Sequence, residues 1–424
     1  MARFGLISPP VPGHINPFLA LAHELQARGH GAVMFHMPDL EAKVRGEGVG
    51  FRAIGASDHP LGSLAESLEQ LGRLKGLAAL RFTVRAIQKT TEMICRDAPA
   101  AIKEQGIDML LVDQTEPAGG TVAEHLGIPF VTMCNALAIN REPQVPPAFS
   151  AWAYSEGVLA RIRNRIGYAA SDLLTKPVEG TLRQFREQWR LPRYSRVEQY
   201  FSPLAQISQI PPEFDFPRRR LPAAFHYAGP FRHPARVETA FPWERLNGRP
   251  LVYASLGTLQ GANEAIFRCF GEACRDLDVQ LVISHGNRLT HDEAGRLAEF
   301  ALVVNYAPQL ALLERARLTI THAGLNTVLD SLSCGVPMAA IPLTFEQPGI
   351  AERIRWTGTG KVVPLRGLTA ARLRVTLKEL LADDRYHERA ATLAQAIRRS
   401  GGVERAASII EQALRSRKPV LRDQ

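Results

Sequence analysis

Short apolar runs that hand over to amphipathic stretches recur along this chain in two series, and that alternation limits its fold more than any other feature. In the first series Phe4–Ser8 reads as a strand, Pro17–Ala27 as a helix stopping before Gly29, and Gly31–Met37 as a second strand. Asp108–Val112 and Pro129–Cys134 are further strands, separated by a helical Thr121–Leu126 and Gly127. Strands alternating with helices imply parallel βαβ units. Gly55–Ala100 reads as mainly helical, and Glu142–Pro217 as less regular, with many prolines and arginines. Pro211–Pro250 is rich in both and weakly periodic, which marks a linker. A second series follows it: Leu251–Ser255, then "VQLVISHG", "LTIT" with a helix behind it, and "PMAAIPL". The fold class is therefore α/β, with two doubly wound domains. A length of 424 residues agrees, since single cores stop growing at roughly 250–300 residues.

Composition narrows the function classes. Charged residues make up 22% and hydrophobic ones 46%, which supports packed cores rather than disorder. The five cysteines form no CxxC pair, so neither a zinc ribbon nor a disulfide framework is expected. "MARFGLISPP" is too short in its apolar run for a signal peptide, and no stretch reaches the ~18 apolar residues of a membrane span. The expectation is a cytoplasmic protein. The net charge of +9 is spread along the chain without a nucleic-acid module, so no nucleic-acid partner is expected.

The most informative stretch is "LTITHAGLNTVLDSLSCGVP", where a strand becomes a helix near Asn326. A helix N-terminus offers unpaired N–H groups and roughly half a positive charge. Gly324 removes a side chain where a ligand must approach. Asn326 and Thr327 are capping types that also reach an oxyanion, and His322 adds a donor. Together they form an anion cradle at the carboxyl ends of strands. A capped helix with a histidine beside it is the alternative.

Upstream lies "NYAPQLALL" and downstream "CGVPMAAIPLTFEQPGIAERI". In this order, the segment from Tyr306 to Gly360 resembles the nucleotide-sugar signature of the UDP-glycosyltransferase family: W-x-P-Q, T-H-x-G-x-N-[ST], G-V-P, then [DE]-Q. "PGHINP" resembles the family's acceptor-side G-H-x-x-P element, and "YASLGT" its second-domain opening. Leu110–Pro147 is similar to the corresponding region of bacterial carotenoid glucosyltransferases. The resemblance implies the GT-B fold, two facing Rossmann-like domains with a cleft between them. Residues 1–220 would bind the acceptor and 221–405 the nucleotide sugar. The helix in 406–424 would cross back to the first domain.

The resemblance also implies roles. Tyr306 stands at the base-stacking position, beside Ala307, and Gln309 at the base or ribose. His322, Asn326, Thr327 and the Gly324 backbone would hold the diphosphate, with Thr258 reaching it from the other side. Asp330 stands where many members place Glu for the ribose. Glu346 and Gln347 would bind sugar hydroxyls, a carboxylate beside an amide being suited to a polyol. His14 would be the catalytic base, since a neutral imidazole removes an acceptor proton near neutral pH. A helix N-terminus behind it would disfavour the imidazolium. Asp113 would stabilise the charge that develops on the ring. Neither a cofactor nor a metal is implied beyond the UDP-sugar co-substrate, and transfer of a hexose would invert the anomeric carbon. The implied acceptor is a hydrophobic hydroxylated molecule, an isoprenoid or an aromatic, and dTDP-sugars remain open as donors.

Rival readings stay in view. A nicotinamide oxidoreductase needs GxGxxG after its first strand, which "SPPVPGHINP" lacks. A nucleotide-sugar epimerase or a catalytically silent binding partner would share the fold. Two stretches also bear on the membrane. "LGRLKGLAALRFTVRAIQK" interleaves Arg73, Lys75, Arg81, Arg85 and Lys89 with apolar residues, and "AWAYSEGVLARIRNRIGY" does so with Trp152, Tyr154, Arg161, Arg163 and Arg165. Basic amphipathic helices of this kind suit peripheral membrane contact. Ordinary helices lining the acceptor cleft are the alternative.

Overall fold

The computed structural model describes residues 1–74, 76–232 and 239–422. Lys75, residues 233–238 of the expected linker and the last two residues of the chain lie outside the described residues. Seven strands build the first sheet: β1 (Arg3–Ile7), β2 (Gly31–His36), β3 (Gly50–Ala53), β4 (Met109–Asp113), β5 (Phe130–Cys134), β6 (Gln206–Ser208) and β7 (Phe225–Tyr227), in the order β3-β2-β1-β4-β5-β6-β7. Six build the second: β8 (Leu251–Ser255), β9 (Gln280–Ser284), β10 (Leu302–Val304), β11 (Ala316–Thr321), β12 (Met338–Ala340) and β13 (Gly360–Val362), in the order β10-β9-β8-β11-β12-β13. The pairings are parallel throughout both sheets.

Parallel strands are covered on both faces, which is why "MLLVD" reads as a continuous apolar run rather than an alternating one. Side chains of β4 alternate between two cores. Met109 and Leu111 join Phe4, Phe18 and Leu25 on one face, while Leu110 and Val112 join Phe35, Ile94 and Leu182 on the other. The C-terminal helix Gly402–Ser416 returns to pack on helix Pro12–Ala27, burying Ala406 and Ile410 against the first core. Glu411 on that helix accepts from Arg28 at 3.1 Å and lies 3.0 Å from His30.

Four expectations are corrected. The first helix begins at Pro12, with proline in the first turn, so His14 lies inside the helix rather than before it and Pro17 is an interior residue. Glu142–Pro217 contains the 31-residue helix Val158–Gln188, whose internal Pro177 and dense arginines disguise its period. Strand β7 lies within the expected linker and pairs with β6, so the first sheet runs past residue 220. The cradle helix, Leu325–Ser333, begins at Leu325 with Gly324 as its N-cap, so Asn326 and Thr327 lie within its first turn rather than at the cap.

Strand order reverses between β1 and β4 in one sheet and between β8 and β11 in the other. Ligands of open α/β sheets bind outside the carboxyl ends of strands at such reversals. Asp215, after β6, joins the two halves through a buried ion cluster. It accepts from Arg353 of helix Gln347–Thr357 at 2.7 and 2.9 Å, and from Arg218 at 3.0 Å. The two positive neighbours hold its carboxyl at about 2 although burial opposes the charge.

Candidate active site

His14 stands on the first turn of the helix that follows β1, and Asp113 ends β4, so the reversal of strand order places them side by side. His14 Nδ1 lies 2.8 Å from Asp113 Oδ2. The Asp113 side chain has no exposed surface, and 14% of the His14 side chain is exposed. A carboxylate accepts, so Nδ1 carries the proton and Nε2 holds the free lone pair. Three more donors converge on the carboxylate. Asn135 Nδ2 reaches Oδ2 at 2.9 Å, and Thr115 N and Oγ1 reach Oδ1 at 2.9 and 2.6 Å.

Burial works against a charged His14, but Asp113 outweighs it, with help from Glu346 and Glu116, and the ring's pKa is raised. The carboxylate bonded to the ring thus works against the preference of a helix N-terminus for the neutral form. Asp113, opposed by burial but held by His14 and Thr115, stays below the ordinary carboxylate value.

The second reversal of strand order holds the predicted anion cradle. His322 follows β11 and is buried, and burial lowers its pKa to about 4, so the ring is neutral. Its Nδ1 is buried without a partner among the described residues. Two glycines enclose the ring. A Cβ on Gly257, whose φ is +70°, would stand 2.7 Å from His322 Cε1, and one on Gly324 would stand 2.4 Å from Nε2. Only glycine permits that approach. Ala323, between His322 and Gly324, holds φ at +64°, a strained turn of the kind found at ligand sites.

The other predicted residues divide. Tyr306 is 53% exposed, and Ala307 packs against the core cluster that contains Leu312. Thr258 is exposed within the short helix Gly257–Gln260 rather than a loop. Thr327 is buried. Gln309 and Asp330 are brought together but spent largely on each other. Gln309 Nε2 donates to Asp330 Oδ2 at 2.6 Å, and Arg232 Nε to Asp330 Oδ1 at 2.5 Å. Tyr253 donates to Gln309 Oε1 at 3.2 Å. Gln347 is likewise committed, its Oε1 accepting from the backbone of Leu343 and Thr344 at 2.9 Å each. Glu346, at the head of helix Gln347–Thr357, belongs to the second domain yet lies near enough to His14 to influence its charge. Among the described residues no cluster of histidine, cysteine and carboxylate side chains is suited to a metal.

Four residues of the site were missed from sequence. Arg232 fastens the linker to the cradle helix, its Nη2 donating to the Asn326 carbonyl at 3.0 Å. Glu116 is buried beside the pair, and burial followed by Asp113 pushes it up to about 8. Asn135 and Gln209 are buried amides that follow β5 and β6. A polar residue directly after an apolar strand was the signal available for Asn135; Gln209 follows the short polar strand Gln206–Ser208, which carries no such signal.

Comparison with known proteins agrees with this geometry. Residues 63–407 match the family model described as UDP-glucoronosyl and UDP-glucosyl transferase. The chain is 38% identical over 424 residues to the zeaxanthin glucosyltransferase of Pantoea ananas, covering 99% of this chain and 98% of that one. It is 35% identical over 420 residues to the zeaxanthin glucosyltransferase of Pseudescherichia vulneris, covering 98% of each. The solved calicheamicin glycosyltransferase CalG4 shares the fold, with a TM-score of 0.77 at 21% identity over 99% of this chain and 100% of that one. Two parallel-sheet domains whose reversals of strand order meet at a histidine–aspartate pair and a glycine-lined cradle, together with these matches, make the chain a glycosyltransferase that belongs to the UDP-glucoronosyl and UDP-glucosyl transferase family.

Proposed function

We propose that this chain moves glucose from UDP-glucose to a hydroxyl of a hydrophobic isoprenoid of the carotenoid type, with inversion. The observation that carries the reading is the 2.8 Å bond between His14 and Asp113, which leaves Nε2 as the free base with Glu346 of the other domain nearby. His14 Nε2 takes the acceptor hydroxyl proton as the oxygen attacks the anomeric carbon. The bond from that carbon to the diphosphate breaks and UDP leaves. Asp113 stabilises the imidazolium that forms. The leaving diphosphate sits at the N-terminus of helix Leu325–Ser333, where Asn326 and neutral His322 each give a hydrogen bond. Tyr306 stacks on the base and Glu346 accepts from sugar hydroxyls. The mechanism uses neither cofactor nor metal. The acceptor class rests on the two relatives named for zeaxanthin. A panel of UDP- and dTDP-sugars against carotenoid, aromatic and macrolide alcohols, read by mass spectrometry, tests it. Donor epimerisation without transfer, or transfer only from dTDP-sugars to polar alcohols, refutes it.

The acceptor's route is part of the same reading. Among the described residues no helix is long and apolar enough to cross a membrane. Helices Gly76–Glu104 and Val158–Gln188 nevertheless expose Leu80, Ile87, Leu159, Ile162, Ile166 and Leu173 beside exposed Arg81, Arg85, Arg161 and Arg165. That face suits a lipid headgroup layer, at about 1 kcal/mol per basic residue on an anionic surface. Flotation with anionic liposomes should rise at low salt and be lost in Arg81→Glu/Arg85→Glu, whose turnover of a water-soluble alcohol persists. A native protein that stays off anionic liposomes refutes this route.

A further inference from the structure

A helical carbonyl normally accepts from the amide four residues ahead. Pro17 has no such amide, so the carbonyl of Gly13, next to His14, lacks its helical partner. Asn326, on the donor-cradle helix of the other domain, fills the gap: its Nδ2 donates to Gly13 O at 3.1 Å. Asn326 Oδ1 accepts from Gln209 Nε2 at 3.3 Å, and the same Nε2 donates to the Asn135 carbonyl at 2.5 Å. Asn135 Nδ2 donates to Asp113 Oδ2 at 2.9 Å, and Asp113 holds His14. The contacts run from His14 through Asp113, Asn135, Gln209 and Asn326 back to Gly13, a closed ring that crosses the interdomain cleft. Resting on the reading of His14 as base and Asn326 as diphosphate ligand, we infer that Gln209 and Asn135 are positioning residues that couple the donor cradle to the His14–Asp113 pair.

The amide orientations follow from chemistry. Nδ2 of Asn326, Nε2 of Gln209 and Nδ2 of Asn135 each face a carbonyl or carboxylate that can only accept. Packing does not explain the two amides. Gln209 is 0% and Asn135 3% exposed, and Gln209 Oε1 and Asn135 Oδ1 are buried without partners among the described residues. Burying an amide oxygen unpaired costs stability that an apolar side chain would not lose. What the amides supply is aim. Gln209 holds Asn326 by its oxygen, so the Asn326 N–H₂ group points into the cleft. A diphosphate on the cradle competes for the donor that otherwise fastens Gly13, so donor occupancy acts on the turn that carries His14. Asn135 feeds the same ring into Asp113, where one hydrogen bond fewer leaves the carboxylate more basic and the imidazolium more stable.

The test uses Gln209→Leu and Asn135→Leu in the full chain, with folding verified by circular dichroism and melting. Gln209→Leu should weaken UDP binding by calorimetry, raise the KM for UDP-glucose and lower kcat, each by about tenfold, the equivalent of one hydrogen bond. Asn135→Leu should leave UDP affinity unchanged, lower kcat and move the acid limb of the kcat profile to higher pH, a shift that a merely structural residue does not produce. If Gln209→Leu does not fold, Gln209→Met keeps the shape and should show the same losses. Folded variants with UDP affinity, KM, kcat and pH profile all within about twofold of the native protein overturn the ring, a change smaller than one hydrogen bond. His14→Ala separates the two levels. If it retains turnover, the base assignment fails; if it is inactive while the ring variants behave normally, only the ring fails.

Discussion

Asp113→Asn puts the proposed chemistry under the sharpest strain. The carboxylate accepts from four donors, two on each oxygen: Thr115 N and Oγ1 on Oδ1, His14 Nδ1 and Asn135 Nδ2 on Oδ2. An asparagine offers one oxygen, and the two Thr115 donors, set by the local turn, should claim it. Its N–H₂ group then faces His14 and Asn135. Asn135 can respond by rotating, because its own Oδ1 has no partner among the described residues. His14 can respond only by changing tautomer, so that Nδ1 accepts and Nε2 carries the proton. The fold then loses little, about 1–2 kcal/mol for one imperfectly remade buried contact. Turnover loses the base itself, a factor of ~10²–10⁴. KM for UDP-glucose should stay near native, since Asp113 touches the base and not the cradle. The carboxylate raises the pKa of His14, and a base works only above its pKa. Whatever activity remains should therefore show its acid limb at lower pH than the native profile. Stopped assays of UDP release against pH, with melting temperatures beside them, read all three quantities. A folded variant with kcat reduced by less than about tenfold would falsify the assignment of His14 as an Asp113-held base.

Three further outcomes follow from the same geometry. Glu346→Ala should spare the affinity for UDP and weaken that for UDP-glucose, whereas His322→Ala should weaken both by about tenfold, one hydrogen bond to the diphosphate; calorimetry showing equal losses of UDP in the two variants removes the sugar contact. Gly257→Ala forces a methyl into the His322 ring at a positive φ, so UDP affinity should fall as in His322→Ala, and native affinity would show that the ring is not held by that approach. Glu116, buried and pushed up to about 8, binds a proton in the folded chain between its ordinary value and that pH. Stability from this group should therefore fall as pH rises through that window. Glu116→Gln should flatten the fall in melting temperature there, and an unchanged slope would show that Glu116 is not the titrating group.

Much of this protein lay in its sequence. Long apolar runs such as "MLLVD" and "LVYAS" are buried on both sides, and burial on both faces writes itself into consecutive residues, so β4 and β8 were legible. The three-residue strands β6, β7, β10, β12 and β13 are held mainly by their neighbours in the sheet, and of these only the segment of β12 was read as strand. The cradle was legible because its glycines, histidine and asparagine must follow one another at a single turn between strand and helix. The pairing of His14 with Asp113, 99 residues apart, came only through resemblance, and its 2.8 Å contact exists because strand order brings β1 beside β4. Tertiary structure alone decided the rest. It spent Gln309 and Asp330 on each other and on Arg232, drew Gln347 into its own loop, and set Asn326 against the carbonyl that Pro17 leaves open. The physical reason is that local sequence specifies which groups are able to bond, whereas the partner of a buried polar group is whatever the packing of distant segments delivers within about 3 Å of it.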